Sequence, residues 1–178
     1  MSRNKQLAFQ VSMSALMAAV GVVIMLSSNL IPILTYVAPL LASLTLLPPY
    51  REFGRKYAWM TWCATALLAL LLCTDREAAF FYLFIGYYPI LKPMLDRIPS
   101  KPLRFLAKLA LFSAVFMLLF LLLAFVLGLE DFRSELLLSA GVYAILVVTM
   151  IFFDRAIGNA AMLYEKRLRE KLFRNPQP

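Results

Sequence analysis

The sequence predicts an all-α polytopic membrane protein, a bundle of six transmembrane helices with both termini on the cytoplasmic side. Three observations carry this. Of the 178 residues, 62% are hydrophobic and 16% charged, against about 45–50% and about 25% in a soluble domain. That is more apolar surface than the chain's own polar groups can cover in water. Charge-poor runs of about 20 residues, enough to cross a hydrocarbon core of about 30 Å, recur along the chain. Finally, the net charge of +8 is unevenly distributed among the connections, as orientation in a bilayer requires. The composition excludes a cytosolic enzyme and a nucleic-acid module, so the basic excess reads as topology.

The first charge-free stretch, from Gln6 to Tyr50, is 45 positions long, which is room for two crossings. Ser27, Ser28 and Asn29, followed by Pro32, divide it into spans over about 7–26 and 30–47. The second is expected to stop at Pro48-Pro49, because consecutive prolines cannot continue a helix. A third span covers about 56–73. The fourth, about 78–95, carries Pro89 and Pro93 and is expected to be short or kinked. The fifth, about 105–129, is the most lipid-like, and the sixth covers about 136–153. Beyond it a cytoplasmic helical extension is expected over about 154–174, ended by Asn175-Pro176. Ile157, Ala160, Ala161, Tyr164, Leu168 and Leu172 recur there at helical spacing, with Glu165/Arg169 and Glu170/Arg174 as i,i+4 pairs. Two roles are open to this stretch: lying on anionic headgroups or docking a cytoplasmic partner. No repeat or second domain is evident, so residues 1–178 read as a single domain, and the first span reads as retained rather than as a cleaved signal.

With this span count, 16 of the 18 basic residues fall on inside segments and only Arg76 and Arg133 outside, while the ten acidic residues divide five and five. The chain has no His, which removes imidazole metal sites and Ser-His catalysis. Cys63 and Cys73, ten residues apart on one expected helix, would lie about 15 Å apart, beyond disulfide reach. No phosphate-binding G-x-x-x-x-G-K-[S/T] occurs, so any use of ATP belongs to another polypeptide. Lys92, Lys108 and Asp154 fall at inner span ends, where the lysines can snorkel and Asp154 can pair with Arg155. No charge is expected in mid-bilayer and no buried ionisable cluster, which argues against a self-sufficient carrier or an enzyme. Catalytic, metal and cofactor sites are not expected.

The first span carries small residues on two stripes: Ala8, Ser12, Ala15 and Ala19, and Ser14, Ala18 and Gly21. Such faces let helices approach closely where lipid competes equally for apolar surface. They serve either the chain's own packing or another protein. A basic N-terminus, an Ala-rich first helix with A-x-x-x-A at Ala15 and Ala19, six spans and a length near 180 residues together resemble the substrate-binding S component of an energy-coupling factor (ECF) transporter. The resemblance covers the whole chain in architecture and is sharpest in the first span. It implies a non-catalytic subunit of the bacterial cytoplasmic membrane that captures a vitamin-like micronutrient outside. The subunit would then reorient against a T component driven by two ATPase subunits, with Ala15 and Ala19 as the coupling contacts.

The same resemblance implies a ligand near the outer face. Polar and aromatic residues expected there are Asn29, Thr35, Tyr36, Asp75, Arg76, Glu77, Tyr82 and Tyr143. Of these, Asn29, Tyr36, Arg76, Tyr82 and Tyr143 are the candidate ligand contacts: aromatic rings suit a planar ligand, and Arg76 suits an anionic group. Trp59, Trp62, Tyr87 and Tyr88 read as belt or packing residues. The connection after the first span is shorter than a capping loop requires. The alternative architecture-level resemblance is to a non-transporting scaffold such as rod-shape-determining protein D, which uses a similar small six-helix bundle.

Overall fold

A computed structural model describes residues 3–29, 34–127 and 132–168. Helix is the regular structure throughout these residues and no strand occurs among them, which is compatible with a helical membrane protein. Among the described residues three stretches are long and apolar enough to cross a membrane: Asn4–Asn29, Arg76–Leu95 and Tyr143–Lys166. By its internal contacts the chain divides into two compact units. Unit one comprises Met1–Leu91 with Ala156–Pro178, and unit two is Lys92–Arg155.

Unit one is organised around α1 (Arg3–Leu26) and α4 (Arg55–Leu72). The two run in parallel, because Thr61 and Thr65 of α4 reach the carbonyls of Ser14 and Ala18, each at 3.4 Å, with the same sequence offset. Each threonine hydroxyl also bonds back to its own helix, to Tyr57 and Thr61 carbonyls at 2.9 Å, so no hydroxyl is stranded where water is excluded. The approach is close enough that a Cβ on Gly21 would lie 3.0 Å from the Thr65 methyl and 3.1 Å from the Thr45 hydroxyl. Gly21→Ala is therefore expected to be nearly neutral, since about 1 kcal/mol of helix propensity offsets the crowding. Gly21→Leu should lose about 1–3 kcal/mol by overpacking, read as a lower thermal midpoint in detergent.

Between these helices lie α2 (Leu34–Leu44) and α3 (Leu47–Phe53). The expected stop at Pro48-Pro49 is corrected here: helix ends at Leu44, and the two prolines occupy the first turn of α3. A first-turn residue has no intrahelical acceptor for its N–H, so a proline there forfeits nothing. Gly54, at φ +90°, turns the chain into α4.

After Cys73 come α5 (Arg76–Ile85) and α6 (Tyr88–Leu95). The expected kink falls at Gly86-Tyr87, ahead of Pro89. A Cβ on Gly86 would sit 2.4 Å from the Tyr82 carbonyl and 2.8 Å from its ring, so only glycine fits. Tyr82 is the centre of a core of small residues, among them Ala42, Ala66, Ala69, Ala78 and Ala79.

Unit two holds α7 (Lys101–Leu127) and the first part of α8 (Phe132–Leu163). They run antiparallel, as the pairs Lys108–Asp154 and Ser113–Tyr143 require. The helix continues past Arg155 and closes in a π-helical turn, Tyr164–Leu168. There Ile157, Ala161 and Tyr164 are buried, the Tyr164 hydroxyl donates to Glu52 Oε1 at 3.4 Å, and Arg51 pairs with Glu165 at 2.6 Å. The described part of the apolar stripe is thus covered by the chain itself, and Glu165 takes Arg51. Arg169, Glu170, Leu172 and Arg174 lie outside the described residues.

Candidate functional site

The two small-residue stripes of α1 have different fates. Ser14, Ala18 and Gly21 are buried, two of them beneath the α4 threonines. Ala8, Ser12, Ala15 and Ala19 are all exposed, flanked by exposed Leu16, Val20 and Val23. Ala15 and Ala19, the expected coupling contacts, therefore lie on the uncovered face.

The second candidate region is one end of unit one, where the end of α1, the start of α2 and the start of α5 meet. Asp75 organises it. Its backbone N–H donates to Asn29 Oδ1 at 3.2 Å, its Oδ2 accepts from the Thr35 hydroxyl at 2.7 Å, and its Oδ1 caps α5 by accepting from the Ala78 N–H at 3.1 Å. One residue thus ties three chain segments. The exposed Tyr36 hydroxyl donates to Glu77 Oε2 at 3.4 Å, and its ring meets Phe81 edge to face at 5.7 Å. Arg76, expected to meet an anion, instead donates to the Leu70 carbonyl at the end of α4, where a cation satisfies a carbonyl left open by the helix terminus.

Asn29, Thr35, Tyr36, Asp75, Arg76 and Glu77 are therefore brought together within unit one, and Tyr82 of the same unit is not among them. Tyr82 is fully buried; its hydroxyl lies near Thr65 but within hydrogen-bond geometry of no described group. Tyr143 belongs to unit two, where its hydroxyl bonds with Ser113 at 2.7 Å. Removing the carboxylate with Asp75→Ala should cost about 1–2 kcal/mol, the usual loss for a helix cap. Asp75→Asn should retain most of it, a contrast readable by thermal unfolding.

Comparison of the chain with protein-family models, with curated proteins and with solved structures finds no match.

Unit two contains what the sequence reading missed. Lys92, Asp96, Lys108 and Asp154 form one cluster across α6, the turn after it, α7 and α8. Lys108 Nζ lies 2.7 Å from Asp96 Oδ1 and 2.9 Å from Asp154 Oδ1, while Lys92 Nζ bonds to Asp154 and lies 3.5 Å from Asp96. The Lys108 side chain is only 8% exposed. The expectation of no buried ionisable cluster is corrected, and Asp154, expected to be able to pair with Arg155, is held by Lys92 and Lys108. Two cations and two anions cancel, which is how charges persist where water is scarce. The local signal was the Lys92/Asp96 i,i+4 spacing; the links to positions 108 and 154 had none.

Trp59, Trp62 and Tyr87 pack together, with ring centroids 5.2–5.9 Å apart, and Trp62 Nε1 is buried without a hydrogen-bond partner among the described residues. No group of three His, Cys, Asp or Glu suited to a metal occurs among the described residues.

Proposed function

We propose that the chain is a non-catalytic, membrane-embedded substrate-capture subunit of an ECF-type importer, taking a vitamin-like micronutrient at the outer face of a bacterial cytoplasmic membrane. The observation that carries this is the division of labour on α1. Its Ser14/Ala18/Gly21 stripe is consumed by α4, whereas the Ala8/Ser12/Ala15/Ala19 stripe is uncovered along the same helix. In this reading Ala15 and Ala19 receive the T component, and the two ATPase subunits supply the energy.

Six spans with both ends cytoplasmic is the topology we propose. It is supported by contacts at the two ends of unit one. Phe9 meets Phe53, and Arg51 pairs with Glu165, so the start of α1, the end of α3 and the π-helical turn share one end. Asn29 and Thr35 meet Asp75 at the other. Ligand contact is assigned to Asn29, Tyr36 and Arg76 at this second end; Tyr82 acts behind them by fixing α5, and Tyr143 is left as a structural partner of Ser113.

A second reading is a scaffold of the kind resembling rod-shape-determining protein D. What favours it is that Asp75, Tyr36 and Arg76 already satisfy neighbouring groups of the same chain. Affinity isolation from mild detergent separates the two. A capture subunit brings down a T component and ATPases and carries a small solute in native mass spectrometry. A scaffold brings down neither.

A further inference from the structure

Because the two lysines and two aspartates of unit two cancel one another, the remaining cations at that end have no acidic partner among the described residues. Over positions 92–108 and 154–155 the chain carries Lys92, Arg97, Lys101, Arg104, Lys108 and Arg155 against Asp96 and Asp154 alone. Both carboxylates are held by Lys92 and Lys108. Arg97, Lys101 and Arg155 are exposed and form no ion pair with a described residue. Arg104 commits one of its five donors, to the Asp96 carbonyl at 3.3 Å.

The same stretch exposes large apolar side chains. Met94, Leu103, Phe105 and Leu106 are all open to the surroundings, Leu106 at 61%, and two of them directly flank Arg104. Cations interleaved with exposed aliphatic and aromatic groups suit a boundary where apolar groups enter acyl chains and cations remain at phosphate level. A nucleic-acid surface would gain nothing from the apolar members.

We propose that this end of unit two, through Arg97, Lys101, Arg104 and Arg155 with Leu103, Phe105 and Leu106, is a docking surface for anionic phospholipid headgroups. The assignment rests on the membrane reading above. It fits the geometry of the charge cluster, which neutralises the buried lysines and leaves the outer ring of cations for the lipid. Each cation near an anionic lipid surface strengthens contact by about fivefold.

The test uses the full chain purified in mild detergent, with phosphatidylglycerol or phosphatidylcholine titrated in and bound lipid counted by native mass spectrometry. The expected result is a preference of at least about tenfold for phosphatidylglycerol that shrinks as salt rises and is lost in R97Q/K101Q/R155Q, whose three sites are exposed. Inorganic phosphate at equal concentration should not compete. Equal binding of the two lipids, a preference indifferent to salt, a preference intact in the triple variant, or displacement by free phosphate overturns the proposal. Flotation with vesicles of both lipids separates the underlying reading: a chain that floats without lipid preference loses only this surface, and one that fails to float loses its membrane assignment as well.

Discussion

Asp154→Leu is expected to be among the most damaging single substitutions in the chain, lowering stability by about 3–5 kcal/mol. It leaves Lys108, 8% exposed, with Asp96 alone, and that carboxylate is 37% exposed and so the more screened of the two partners. Lys92 would keep only its longer contact to Asp96, at 3.5 Å. The double variant Lys108→Met/Asp154→Leu removes one charge of each sign and should recover most of the loss, because a well-packed apolar pair often matches a buried ion pair. A double-mutant cycle on thermal midpoints, followed by circular dichroism in detergent, checks this. Strictly additive effects would mean that the four groups do not act as one unit.

The second large effect turns on a shift of one residue along α1. Ala18 is 4% exposed and meets Thr65 through its carbonyl, so Ala18→Leu forces α1 away from α4 and should cost about 1–3 kcal/mol. Ala19 is exposed, so Ala19→Leu should leave the unfolding midpoint within about 0.5 kcal/mol of the parent. If the uncovered stripe receives a T component, that same silent substitution, and Ala15→Leu with it, abolishes co-isolation and cellular uptake. The pattern to look for is one variant that loses stability and one that keeps its stability but fails to couple. Unimpaired uptake in both Ala15→Leu and Ala19→Leu would leave the uncovered stripe without a coupling role.

What could be read in the chain beforehand follows the range of the interactions. The small-residue stripes of α1 were visible because 4-3 spacing is a property of one helix. Which stripe turns inward was not, because Thr61 and Thr65 decide it from 47 positions away. The apolar periodicity of Ile157, Ala161 and Tyr164 was likewise legible, but its partner, Glu52 and its neighbours over a hundred positions earlier, was not. Pro48-Pro49 marked a true discontinuity, and the continuation rule misassigned its side: the prolines open α3 instead of closing α2. Tyr36 and Tyr143 look alike as interfacial tyrosines, yet one meets Glu77 and the other Ser113. The Lys92–Asp96–Lys108–Asp154 cluster is the largest omission, and its cause is the same. Apart from one i,i+4 pair, its ion pairs join residues 12, 46 and 62 positions apart, and a charge near a span end looks the same whether it snorkels or pairs.

Side-specific labelling of single cysteines tests the even-crossing membrane architecture on which the functional reading rests. Cys63 and Cys73 are free and can be replaced first, by serine and alanine, after which Lys5→Cys, Arg76→Cys, Lys101→Cys and Lys166→Cys are probed one at a time in intact cells and inverted vesicles. The account predicts that positions 5, 101 and 166 react only from the cytoplasmic side and position 76 only from outside. Reaction of positions 101 and 166 from opposite sides, or of position 76 from the same side as position 5, would contradict it.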